Sequence, residues 1–140
     1  MARICLWLTI DPRRTIAGPS EQRVSGVVII ELEIETRSEA GWTVLAAGGE
    51  LDLYTAPRLR DELLATVDGG VDRIAIDLNG VGFIDSTGLG ILVACLKRVR
   101  ERDGQMVLIA PESSPLRRLL SLTGLEQVLP TYTALGDVVA

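Results

Sequence analysis

Val81-Gly82-Phe83-Ile84-Asp85-Ser86-Thr87-Gly88-Leu89-Gly90 joins a β-rich run to a long amphipathic one, and the reading of that junction decides the fold. Upstream, Arg73-Ile74-Ala75-Ile76-Asp77-Leu78 lies between a glycine pair and Asn79-Gly80, the pattern of a short buried parallel strand. Downstream, a helix is expected from near Ser86 to near Asp103-Gly104. At about 100° per residue, Leu89, Leu92, Val93, Cys95, Leu96 and Val99 share one arc that should face a sheet. The opposite arc holds Thr87, Gly90, Ile91, Ala94, Lys97, Arg98 and Glu101. Its first two turns are small or apolar where a solvated helix would carry charge, so Gly90, Ile91 and Ala94 mark a docking surface. Cover by the N-terminal segment, or ordinary scatter of exposed apolar residues, accounts for the same pattern.

Working outward, Val27 to Glu35 turns from two-sided to one-sided hydrophobicity, as an edge strand does, and Trp42 to Gly48 reads as its hairpin partner across Gly41. A polar corner follows at Gly49-Glu50-Leu51-Asp52. Thr55 is placed to cap a helix that carries Pro57 in its first turn and Leu59, Leu63 and Val67 at helical spacing, ending at Asp68-Gly69-Gly70. Beyond the central helix, Gln105 to Ala110 is a strand. Ser113 or Ser114 with Pro115 opens a third helix that Gly124 closes in left-handed geometry. Leu125 to Leu129 is the last strand candidate, and the tail from Tyr132 to Ala140 has room for one short helix. The order predicts an α/β domain: a mostly parallel mixed sheet of four to five strands, an N-terminal antiparallel hairpin strand, and three to four helices, with the longer helices as right-handed crossovers.

With 140 residues the chain suits one domain, expected over 27–140 behind a flexible arm of residues 1–26 rich in Pro, Gly, Ser and Arg. The run Ile4 to Ile10 is broken by Asp11-Pro12-Arg13-Arg14 before it reaches the length of a secretory signal, and no stretch approaches the roughly 20 apolar residues of a membrane span. A net charge of −5 disfavours direct nucleic-acid binding. Histidine is absent, which removes Ser-His-Asp and Cys-His catalysis and imidazole metal sites. Cys5 and Cys95 form no CxxC pair, and a reducing cytoplasm suits them. No metal or cofactor is expected: Gly88 and Gly90 begin a G-x-G pattern, but Val93 holds the third glycine position, and Gly82 stands four residues before Ser86 where a nucleophile elbow needs a glycine two before it.

At the junction two explanations use one geometry. Ser86 or Thr87 caps the helix, with Asp85 adding favourable charge near its positive end; on geometry alone this is the simpler reading. Alternatively the helix start favours a phosphate carried covalently by Ser86.

The segment Phe83-Ile84-Asp85-Ser86-Thr87-Gly88-Leu89-Gly90, preceded by Gly49-Glu50-Leu51-Asp52 with Ala56 and followed by Gly104-Gln105-Met106-Val107-Leu108, resembles the STAS domain of bacterial anti-sigma factor antagonists. The resemblance covers about Val27 to Val138. It implies a non-enzymatic, cytoplasmic partner-switching protein that controls an alternative sigma factor of the stress-response kind. The unmodified form binds an anti-sigma factor that is also a serine kinase; phosphorylation of Ser86 ends the binding; a PP2C-type phosphatase restores it. It further implies that Asp52 lines the docking surface and that Asp85 orients the serine or touches the kinase, beside Thr87, Gly90, Ile91 and Ala94. Two other roles compete: a STAS-type module sensing a nucleotide or small ligand without phosphorylation, and an enzyme using Asp52, Asp85 and Ser86, which nothing in the sequence activates.

Overall fold

The computed structural model describes residues 32–139, so the expected arm and the beginning of the expected domain at Val27 lie outside the described residues. Among the described residues five strands and four helices follow in the order β1 (Glu33–Glu39), β2 (Trp42–Leu51), α1 (Ala56–Asp68), β3 (Arg73–Ile84), α2 (Ser86–Glu101), β4 (Gln105–Ile109), α3 (Pro115–Thr123), β5 (Thr131–Tyr132) and α4 (Leu135–Val139). The sheet order is β1-β2-β3-β4-β5, with β1 antiparallel to β2 and every later pair parallel.

The hairpin closes on two residues, Ala40 and Gly41, both with positive φ (54° and 85°), while Glu39 pairs with Trp42. Such mirror-image turns match the twist of the strands they join. Strand β1 runs four residues past the expected end at Glu35. Only Ile34 of β1 is buried, so the sequence carries no alternation there to read; ladder pairing with β2 holds Thr36 to Glu39 extended. Charged side chains along such an edge discourage pairing with another chain.

Helix α1 buries Ala56, Leu59, Leu63 and Val67, the spacing expected of an amphipathic stripe. A leucine taken fully out of water contributes ~1.5–3 kcal/mol, so this stripe holds the helix more than propensity does. Together with Leu89, Leu92, Cys95, Leu96 and Val99 of α2 and Leu116 and Leu120 of α3, it packs on one face of the sheet. Val93, expected on the inward arc, is only half-buried at its margin. On the opposite face Trp42, Val44, Ala75, Val107 and Ile109 form a smaller cluster with Leu135 of α4.

Later boundaries differ from expectation as well: β2 runs past Gly48 to Leu51. Asn79-Gly80 does not end β3; the strand continues to Ile84 across two register shifts against β2. A Cβ on Gly80 would lie 3.2 Å from the Gly48 Cα, so this glycine admits a close backbone approach at a bulge, where a turn was the simpler reading. Helix α2 stops at Glu101, because Asp103 adopts a left-handed φ of 61° and breaks the repeat. Leu125 to Leu129 is not a strand: Val128 and Leu129 both donate to the Leu125 carbonyl, so the backbone bonds locally, and β5 begins only at Thr131.

Each parallel crossover leaves its strand at the same edge of the sheet. The starts of α1, α2 and α3 therefore gather at one edge, where ligands and partners of open α/β sheets are met.

Candidate functional site

The edge is built around the ends of β2 and β3. The second register shift brings Glu50 opposite Phe83 and Leu51 opposite Ile84, and the Asp85 N–H donates to the Leu51 carbonyl at 3.2 Å. Leu51 and Ile84 point into the core, leaving Asp52 and Asp85 at the start of two adjacent corners.

At the first corner, Asp52 Oδ1 accepts from the backbone N–H of Tyr54 (2.9 Å) and Thr55 (3.1 Å). Thr55 was expected to cap α1 with its hydroxyl. That hydroxyl instead turns back, donating to the Glu50 carbonyl at 2.6 Å and accepting from the Asp52 N–H at 3.0 Å, so Asp52 supplies the local acceptor. Asp52 is half-buried, its Oδ1 committed to the fold of the corner.

At the second corner the cap is Asp85, not Ser86 or Thr87. Asp85 is extended (φ −112°, ψ −174°) and its Oδ1 accepts from the Gly88 N–H at 3.0 Å. An aspartate here satisfies one orphan donor and places negative charge at the positive end of the helix. Ser86 becomes the first helical residue, exposed, and its hydroxyl has no hydrogen-bond partner among the described residues. Thr87 is half-buried beside it.

Gly88 is the joint between the two corners. A Cβ on it would meet the Leu51 carbonyl oxygen at 2.7 Å and the Leu51 Cγ at 2.9 Å, so only glycine lets α2 start this close to β2. One turn on, Gly90 and Ala94 are exposed, while Ile91 is half-buried against the core and less open than the helical arc suggested. A Cβ on Gly90 would meet nothing within 4 Å.

The same edge carries apolar side chains that the sequence reading left unassigned: Leu53 (59% exposed), Tyr54 (86%) and Phe83 (46%). Two adjacent apolar residues in the otherwise polar corner after Asp52 were the available indication. Phe83 precedes Ser86 by three residues and Leu53 and Tyr54 stand at the adjacent corner, so exposed apolar side chains lie at the strand ends that lead into α1 and α2. Among the described residues there is no grouping of three or more side chains suited to a metal, and no helix long and apolar enough to cross a membrane.

Comparison with known proteins agrees with this architecture. The family model described as STAS domain matches residues 31–138. An anti-sigma-B factor antagonist of Staphylococcus aureus is 34% identical over 100 residues, covering 71% of this chain and 92% of the relative; its Staphylococcus epidermidis counterpart is 33% identical over the same length and shares. The crystal structure of an anti-sigma factor antagonist from Mycobacterium paratuberculosis superposes with a TM-score of 0.71 at 30% identity, covering 78% of this chain and 92% of that one.

Proposed function

The chain belongs to the STAS domain family, and from that premise we propose that it is an anti-sigma factor antagonist whose Ser86 is the phosphorylation site of a partner switch. The unmodified protein binds an anti-sigma factor that is also a serine kinase, and so releases an alternative sigma factor. The kinase transfers the γ-phosphoryl group of ATP to the Ser86 Oγ, which loses its proton, and ADP leaves. The phosphorylated protein no longer binds; a PP2C-type phosphatase hydrolyses the ester.

The observation that carries this reading is the division of labour between Asp85 and Ser86. Because Asp85 caps α2, the neighbouring hydroxyl is exposed and unbonded among the described residues, ready to act as a phosphoryl acceptor. The partner surface comprises Asp52, Asp85, Thr87, Gly90, Ile91 and Ala94, with Leu53, Tyr54 and Phe83 added as apolar contacts.

Electrostatics is sufficient to drive release. Phosphorylation adds about −1.5 to −2 charge. One pair of like unit charges about 6 Å apart at an effective dielectric of about 20 repels by roughly 3 kcal/mol, a loss of affinity on the order of a hundredfold. The start of α2 meanwhile favours the phosphate on the free protein, so release needs no refolding.

Incubation with the cell's anti-sigma kinases and ATP, followed by mass mapping, is expected to place the phosphate on Ser86. Ser86→Ala should hold the kinase persistently and Ser86→Asp should bind it poorly. Phosphate on another residue, or equal binding by both variants, refutes the assignment.

A further inference from the structure

Leu53 and Tyr54 form the tip of a turn that is held shut from both ends. Asp52 and Thr55, three residues apart, bond reciprocally. The Asp52 N–H donates to the Thr55 Oγ1 at 3.0 Å, while Asp52 Oδ1 accepts from the Thr55 N–H at 3.1 Å and from the Tyr54 N–H at 2.9 Å. This is the pattern of a capping box, with threonine in the place of glutamate or glutamine. The turn is also fastened to its surroundings. The Thr55 hydroxyl donates to the Glu50 carbonyl at 2.6 Å, the Ala56 N–H donates to the Asp52 carbonyl at 2.8 Å, and Leu51 and Ala56 on either side are fully buried.

Between these fixed points the two central side chains stay out of the core, Leu53 at 59% exposure and Tyr54 at 86%. A turn whose only task was to join β2 to α1 would be served as well by polar residues or glycine at both positions, the usual choice in turns. Here a rigid backbone carries two large apolar groups into solvent. Tyrosine is among the residue types that carry most of the energy of protein interfaces, and an anchor held in place beforehand spares binding the ordering of its loop.

We infer that Asp52 and Thr55 are positioning residues for docking: they lock the turn so that Leu53 and Tyr54 meet the partner as a pre-formed pair. The inference rests on the function proposed above, and within that partner surface it gives Asp52 a definite part. Its carboxylate acts through the backbone it holds, not by offering charge to the partner.

The experiment measures, by calorimetry, the affinity of the full chain for the kinase found to phosphorylate Ser86. Thr55→Ser keeps the hydroxyl, and Asp52→Asn keeps the acceptor without the charge; since asparagine caps as well as aspartate, both are expected to bind within about twofold of the native chain. Thr55→Val and Asp52→Ala open the turn and should lose about tenfold, as should Tyr54→Ala. Once Leu53→Ala/Tyr54→Ala has removed the anchors, adding Asp52→Ala should cost nothing further, because residues that act through one another are not additive. Equal losses in Asp52→Asn and Asp52→Ala, additive losses in the triple variant, or undiminished binding by Leu53→Ala/Tyr54→Ala overturns the inference. Where a variant to alanine or valine fails to fold by circular dichroism, the Asp52→Asn arm decides, because it removes charge alone. A native chain that neither binds nor is phosphorylated by any of the cell's anti-sigma kinases removes the proposed function itself, and this inference with it.

Discussion

Gly88 lies so close under the Leu51 carbonyl that a Cβ on it would stand 2.7 Å from the oxygen. The contact fixes the start of α2 against the end of β2, and with it the position of Ser86. Gly88→Ala must push backbone against backbone, and overpacking of this kind costs typically ~1–3 kcal/mol. Urea unfolding should show that loss at an unchanged m-value.

Gly90 is the contrasting case. It sits inside α2 with ordinary helical backbone and open space where a Cβ would be, so nothing within the described residues requires glycine there. Glycine in a helix interior costs roughly 0.5–1 kcal/mol relative to alanine. Gly90→Ala should therefore raise the thermal midpoint while lowering affinity for the proposed kinase partner in calorimetry, because the added methyl projects from the proposed docking surface.

Ala94 and Ile91 separate docking from folding. Ala94 is exposed, and Ala94→Lys should change stability by no more than about 0.5 kcal/mol while weakening the complex. Ile91 is half-buried against the core, so Ile91→Lys should weaken the complex and also cost on the order of 1 kcal/mol in urea unfolding. Unchanged affinity in both variants would move the docking surface elsewhere.

Cys95 provides a pH prediction. Burial pushes its thiol up from 9.0 to about 11, against a smaller downward pull from Arg60. Below the ordinary thiol value the group is neutral both folded and unfolded, and its contribution is fully present. Above it the unfolded chain ionises first, so stability is lost as pH rises through about 11. The stability advantage of the native chain over Cys95→Ala should be constant below pH 9.0 and shrink between there and about 11 in urea titrations.

The α1 stripe of Leu59, Leu63 and Val67, the α2 arc and the Ser114-Pro115 to Gly124 limits of α3 were legible because periodicity, proline and glycine act within a few residues. Ser114 does cap α3, and Gly124 does take the left-handed cap at φ 74°. The Gly80 bulge, the polar half of β1 and the displaced β5 were not, since each depends on which backbone lies alongside.

The site divides along the same line. Local sequence determined that Asp85, Ser86 and Thr87 stand at a helix start, and that an apolar face follows them, because capping chemistry and a 3.6-residue repeat need no distant partner. Tertiary structure alone decided that the two corners lie side by side, with the Asp85 N–H on the Leu51 carbonyl, and that the exposed Leu53, Tyr54 and Phe83 stand at the same end of the sheet. That arrangement follows from two register shifts between β2 and β3, a relation between strands that share no sequence neighbourhood.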